Sequence, residues 1–247
     1  MAAVLLAGLA AGTINTVVGS GTLITFPTLL AFGVPPVTAN VSNTIGLVPG
    51  VASGVWGYRR ELEGQRGRAV RLGSASIVGG AIGAVLLLSL PDSAFSAIVP
   101  ALIMVGLLLV VLQPRISTWV DARHEGARAA NGPWWVWPAV LVSGVYGGYF
   151  GAAQGVIIMG VLGIGIAETL QRLNGLKNVL AGLVNAIAGL IFALVADVDW
   201  TVVLLLAVGS VIGGQLGATV GRRLPPLVLR VVIVVIGLVA LAVFLLR

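Results

Sequence analysis

The chain has no cysteine, one histidine and one lysine. Without cysteine there can be no disulfide, thiolate metal site or cysteine nucleophile. Charge of either sign is scarce, 9% of residues against about 25% in a typical soluble domain. Fourteen basic and eight acidic side chains could not cover a water-soluble protein of 247 residues that is 58% apolar, with mean hydropathy +1.10. The 35 glycines follow no Gly-X-Y period, so a collagen-like chain is excluded as well. Lipid is the solvent that this composition fits.

The charges that are present sit between apolar runs rather than along one polar face. The net charge of +6 therefore reads as membrane loops, with no nucleic-acid partner. The lone histidine, His124, lies among Asp121, Arg123, Glu125 and Arg128, which is the setting of a solvated loop rather than a metal site. Residues 1–58 carry no charged side chain, so the basic start of a cleavable signal peptide is not seen. No Walker A pattern occurs, and no Asp or Glu lies well inside an apolar run. Paired-carboxylate hydrolysis and a carboxylate proton relay are therefore not expected. Sodium held by carbonyls stays open. The expectation is a protein that is not an enzyme and that uses no cofactor and no metal.

Eight apolar segments emerge, at roughly 2–32, 38–58, 71–90, 94–113, 134–165, 173–196, 200–221 and 226–246. Tryptophans 56, 134, 135, 137 and 200 fall at segment ends, where amphipathic rings favour the membrane interface. Landmarks recur in order along the chain. Gly12 and Gly19 return as Gly144 and Gly151, 132 residues on, and Asn43 returns as Asn178 after 135. Gly79-Gly80-x-x-Gly83 returns as Gly213-Gly214-x-x-Gly217, and Leu90-Pro91 as Leu224-Pro225, both after 134. The reading is an all-α polytopic membrane protein of two repeats with about four segments each, 1–113 and 134–247. A cytoplasmic linker, 114–133, joins them.

The first segment of each half is too long for one crossing. About 32 residues make roughly 48 Å of helix, against about 30 Å of hydrocarbon. Both segments carry breakers, Gly19-Ser20-Gly21 with Pro27 in one and Gly147-Gly148, Gly151 and Gly155 in the other. Broken, re-entrant segments would leave three crossings per half and invert the halves. Charge agrees. Arg59, Arg60, Arg66, Arg68 and Arg71 follow the second segment and Asp92 the third, whereas Asp197 and Asp199 precede Arg222 and Arg223 in the second half. Inversion leaves Arg247 as the sole cation outside; parallel halves would also export Arg172, Arg222 and Arg223.

One set of residues carries a family resemblance. It begins with Gly12-x6-Gly19-Ser-Gly21-x5-Pro27, Ala39-Asn-Val-Ser-Asn43-Thr44 and Leu173-Asn-Gly-Leu-Lys177-Asn178, and continues through Asn185, Val198-Asp-Trp200 and Gly209-Ser-x2-Gly213-Gly-x2-Gly217. In this ordered set the chain resembles the sulfite exporter TauE/SafE family, also called the toluene-sulfonate uptake permease group. The second half departs from the family's glycine-rich turn, reading Gly151-Ala-Ala-Gln154-Gly155. The resemblance implies a bacterial inner-membrane carrier for small sulfur oxyanions such as sulfite or organosulfonates. Its partners would be that anion and the bilayer; the oligomeric state is open, a homodimer included.

Candidate binding residues follow from charge and amide placement. Lys177, the only lysine, precedes the uncharged run 178–196. Its ammonium could offset an oxyanion, or it could snorkel to the interface. Asn174, Asn178, Ala181 and Asn185 share a helical face. Asn43 occupies the repeat-related place, with Asn40 beside it, and Gly46, Gly50 and Gly54 follow Asn43 at helical spacing. Amides suit sulfonate oxygens, and equally suit interhelical hydrogen bonds. The breaks at Ser20-Gly21-Thr22 and Gln154-Gly155 would free backbone N–H groups at half-helix N-termini, which favour anions. The Gly-Gly-x-x-Gly motifs read as close helix packing. Besides the carrier, an anion channel or a non-transporting membrane subunit would fit the same residues.

Overall fold

The computed structural model describes residues 1–121, 132–220 and 226–245. His124 and most of the charged linker, Arg222, Arg223, Leu224-Pro225 and Arg247 lie outside the described residues. The described residues form ten helices: α1 (Ala2–Val17), α2 (Thr22–Ala31), α3 (Pro36–Gly57), α4 (Arg66–Ser89), α5 (Asp92–Asp121), α6 (Val136–Tyr149), α7 (Gln154–Gly165), α8 (Leu170–Val195), α9 (Trp200–Thr219) and α10 (Pro226–Leu245). Helix α5 runs on past residue 113, so the first residues of the expected linker are helical.

Among the described residues, four helices are long and apolar enough to cross a membrane: α4, the 92–115 part of α5, α8 and α9. Helix α3 has the length, but Asn40, Ser42, Asn43, Thr44 and Ser53 lower its hydropathy, and it is not among them. Their large outer side chains are apolar: Ile77, Ile82 and Val85 on α4, Leu108 on α5, Leu194 on α8, Leu204 and Ile212 on α9. Such a surface would aggregate in water and is satisfied by acyl chains. The protein is a multi-pass membrane protein.

Both over-long segments are broken, at residues 18–21 and 150–153. None of α1, α2, α6 and α7 exceeds 16 residues, or about 24 Å. The two breaks share one geometry. Val18 and Gly19 N–H both donate to the Ile14 carbonyl, and Phe150 and Gly151 N–H both donate to the Tyr146 carbonyl. Gly19 and Gly151 hold φ of +87° and +76°, a region open to glycine at little cost. The chain then doubles back. A Cβ on Gly21 would meet the Ala11 backbone, ten residues earlier, and Gln154 Nε2 donates to the Ser143 carbonyl at 3.2 Å.

Packing pairs the two halves. Helix α9 lies against α1 and α3, and α4 lies against α6 and α8; α3 also meets α8, and α5 meets α10. Exchanging α1 to α5 with α6 to α10 in order returns this set of neighbours. The glycine motifs form the closest seams: Gly79 and Gly83 abut the Leu141 and Val145 carbonyls, and Gly213 and Gly217 abut those of Leu9 and Thr13. In lipid, where apolar burial gives helices little reason to associate, such close approach supplies the attraction. Phe26, Phe95, Tyr149 and Phe150 stack edge to face where α2, α5 and α6 converge.

Gly213→Leu should therefore lower thermal stability in detergent, by about 1–3 kcal/mol or more, because the added side chain runs into the Leu9 backbone. Gly67→Ala, which meets nothing within 4 Å, should leave the melting temperature unchanged or raise it. Equal melting of both variants would show that the seam does not hold the bundle.

Candidate functional site

Breaking a helix inside a membrane strands carbonyls at one end and N–H groups at the other. At the end of α1 the carbonyls are met by α8. Asn174 Nδ2, Asn178 Nδ2 and Lys177 Nζ all donate to the Thr16 carbonyl, at 3.1, 3.2 and 3.4 Å. Lys177 Nζ also donates to the Asn15 carbonyl at 3.2 Å. Its side chain is 1% exposed, so it does not snorkel. Its hydrogen-bond acceptors are main-chain oxygens at the negative end of a helix dipole, worth about half a charge. No carboxylate is among them.

On the other side of the breaks the N–H groups are used internally. Gly21 N–H donates to Asn15 Oδ1 at 2.7 Å, Gln154 N–H to the Gly151 carbonyl at 3.3 Å, and Gly155 N–H to the Gly19 carbonyl at 3.0 Å. The last bond joins one break to the other. Neither Gly19 nor Gly155 has room for a side chain, since a Cβ on either would enter the other's backbone.

Where the breaks meet there is a cavity of about 20 Å³. Asn15, Thr22, Gln154, Lys177, Asn178 and Asn185 supply its polar lining, and Gly19, Gly151 and Gly155 its backbone. That volume is of the order of one water molecule. A sulfite or sulfonate group enters only if the surrounding helices separate.

Six of the sequence-derived candidates thus come together: Lys177, Asn178, Asn185, Thr22, Gln154 and Gly155. Asn174 stands one turn away, its amide shared between Thr16 and the hydroxyl of buried Tyr58. Asn43 is held behind Thr22, accepting from Thr25 Oγ1 and donating to Thr22 Oγ1. Asn40 donates to the Tyr149 carbonyl at 2.9 Å, and Ser20 is fully buried with its Oγ unpartnered. These four, with Gly21, do not line the cavity. Gly46, Gly50 and Gly54 pack on Leu206, Ser210 and Thr16. Asn15 was not among the candidates; a lone amide in the last turn before a helix break was the signal for it.

Ion pairs and hydrogen bonds tie the arginine-rich end together. Glu168 bridges Arg68 at 2.8 Å and Arg172 at 2.7 Å. Gln65 Nε2 donates to the Arg172 carbonyl, and Arg172 Nη2 to that of Glu63. These bonds clamp the α3–α4 connection over the start of α8, where Tyr58, Glu61 and Leu62 pack on Gly175. Arg59 stacks on Trp56 at 4.2 Å at the same end. Among the described residues, no cluster of His, Asp or Glu could hold a metal ion.

The model of the family described as Sulfite exporter TauE/SafE matches residues 4–244. The chain belongs to this family. Similar proteins cover 85–100% of the chain. A protein of a Sinorhizobium species, named Probable membrane transporter protein ORF9, is 27% identical over 255 residues, covering 100% of this chain and 92% of its own. A Haemophilus influenzae Probable membrane transporter protein is 26% identical over 220 residues (85% and 81% covered). The Escherichia coli K12 Probable membrane transporter protein YfcA is 24% identical over 241 residues (93% and 83%). No solved structure matches the chain significantly.

Burial alone would raise the Glu168 carboxyl, but hydrogen bonds and charge from Arg68 and Arg172 outweigh it and hold the group below the ordinary carboxylate value. A depressed carboxylate stabilises the fold above its unfolded pKa, and that contribution fades as pH falls through the folded one. Glu168→Gln should cost about 1–3 kcal/mol of thermal stability at neutral pH. The gap to the unaltered protein should close below about pH 4. A gap that persists in acid would mean that the ion pairs are not its source.

Proposed function

We propose that this membrane transporter carries small sulfur-containing anions, sulfite or an organosulfonate, across the bacterial inner membrane by alternating access between two inverted halves. The observation that carries the reading is the meeting of the two helix breaks in a polar cavity beside Lys177. In a chain so poor in charge, one ammonium with only carbonyl acceptors, beside four amide side chains, is matched by an anion. Transport of such an ion needs no covalent step, in keeping with a polar site built of amides, hydroxyl and ammonium.

Exchanging the halves preserves the main helix neighbours, which fits a duplication of either orientation. Inversion has one support in the packing. The Arg68–Glu168 bridge joins the loop after α7 to the start of α4, as hairpins that enter and leave on one side require. Since the chain lacks cysteine, single cysteines at Arg60 and at Asp197 report topology without background. The first should react only from the cytoplasm and the second only from outside. Labelling of both from the cytoplasm would restore parallel halves.

Lys177→Met should weaken binding of sulfite or a sulfonate by about tenfold to a hundredfold, the worth of one charge-assisted hydrogen bond. Unchanged affinity in a variant that still melts cooperatively would remove Lys177 from the site. In proteoliposomes flux should saturate and show counterflow, whereas an anion channel would show neither.

A further inference from the structure

The carrier reading leaves a physical difficulty at Lys177. After the anion departs, the site must return across the membrane with an ammonium that is 1% exposed, next to a cavity the size of one water. A buried charge with no counter-charge is costly. The bonds that Lys177 makes reach no carboxylate, only the Asn15 and Thr16 carbonyls, although the α3–α4 connection brings Glu61 against Gly175, two residues along α8. Helices α1, α3 and α7 carry no titratable side chain, and α1 presents only the Asn15 and Thr16 carbonyls. Helix α6 contributes Tyr146, whose hydroxyl donates to the Ala152 carbonyl, and Tyr149; Tyr58, just beyond α3, bonds Asn174. Helix α4 brings Arg66, Arg68 and Arg71 at its first turns, with Arg68 on Glu168. Glu168 and Arg172 are held in that same bridge at the start of α8.

Resting on that reading, we propose that Lys177 is the coupling group of the transporter: it binds a proton together with the anion and releases both on the far side. The geometry fits both protonation states. A neutral amine has two N–H donors, and two fixed carbonyl acceptors stand at 3.2 and 3.4 Å. Protonation adds a third N–H, and the cavity that Lys177 lines is where that donor meets an oxyanion. The step is R–NH2 + H⁺ + A⁻ going to R–NH3⁺···A⁻, with water as proton source on one side and sink on the other. No other bond changes. For a monoanion each cycle moves no net charge. Arginine could not do this, because its guanidinium does not deprotonate in proteins.

The test is calorimetric titration of the purified full chain with sulfite, thiosulfate and methanesulfonate at mildly alkaline pH. All three anions are then almost fully ionised in solution. Repeating it in buffers of different ionisation enthalpy counts the protons taken up. The unaltered protein should take up about one proton per anion bound. Lys177→Arg should bind with none, and in liposomes should catalyse anion exchange but not net uptake with internal acidification. Binding of any of these anions without proton uptake overturns the coupling and leaves the carrier reading standing. Binding of none of the three overturns both. Should Lys177→Arg fail to fold, the buffer dependence of the unaltered protein decides alone.

Discussion

The Thr16 carbonyl is the point on which the site depends. It stands in the last turn of α1, where a helix interrupted at membrane depth leaves an acceptor that no water reaches. Three donors from α8 converge on it, two amides and an ammonium. Asn174, Lys177 and Asn178 therefore have a structural task before any transport task, and performing it fixes Lys177 beside the cavity. The second break is tied to the first by the Gly155 N–H bond to Gly19. With no side chain at either glycine, the two interruptions touch and the polar lining of both faces one small volume.

The remainder of the bundle keeps that meeting point in register. The α1–α9 and α4–α6 seams are glycine seams in which backbone lies against backbone, and small changes in side-chain volume translate directly into helix displacement. Polar crosslinks add direction: Ser210 Oγ donates to the Gly46 carbonyl, and Gln215 Nε2 to that of Ser53. At the arginine-rich end the Glu168 bridges hold the α3–α4 connection against α8. Because that connection also covers Tyr58 and Asn174, opening the cavity toward this end involves the same ion pairs.

Much of this was legible in the sequence, and the failures have common causes. Segment lengths against bilayer thickness identified both broken helices, and the Gly-Gly-x-x-Gly motifs identified the seams, because each rests on a hard geometric limit. Helical periodicity groups Asn174, Asn178 and Asn185 by azimuth but says nothing of depth, so it places Asn174, one turn nearer the arginine-rich end, with residues of the cavity. Asn40 and Asn43 stood out as membrane amides, yet spacing within one helix cannot tell a ligand from a crosslink to α2 or α6. The breaks drew attention to the N–H groups they free. Those N–H groups are largely consumed within the turns, and the C-terminal carbonyls of α1 are the ends that recruit Lys177. Asn15 was overlooked for the same reason: it serves the break from the carbonyl side, while its amide oxygen caps Gly21.

The single lysine also follows from how helix ends differ. At the spacing that relates Asn43 to Asn178, Lys177 falls on Ser42. Both residues are buried and both hold a helix end in place. Ser42 Oγ accepts the N–H of Asp199, the residue that caps α9, whereas Lys177 donates to the last carbonyls of α1. A helix start needs an acceptor and a helix end needs a donor, so the two positions call for different chemistry. A hydroxyl suffices as acceptor, and it carries no charge. A donor able to reach two carbonyls at once is well met by a lysine, which brings a charge with it. On this argument the positive site occurs once, on one half only, because only one of the two positions serves a helix that ends.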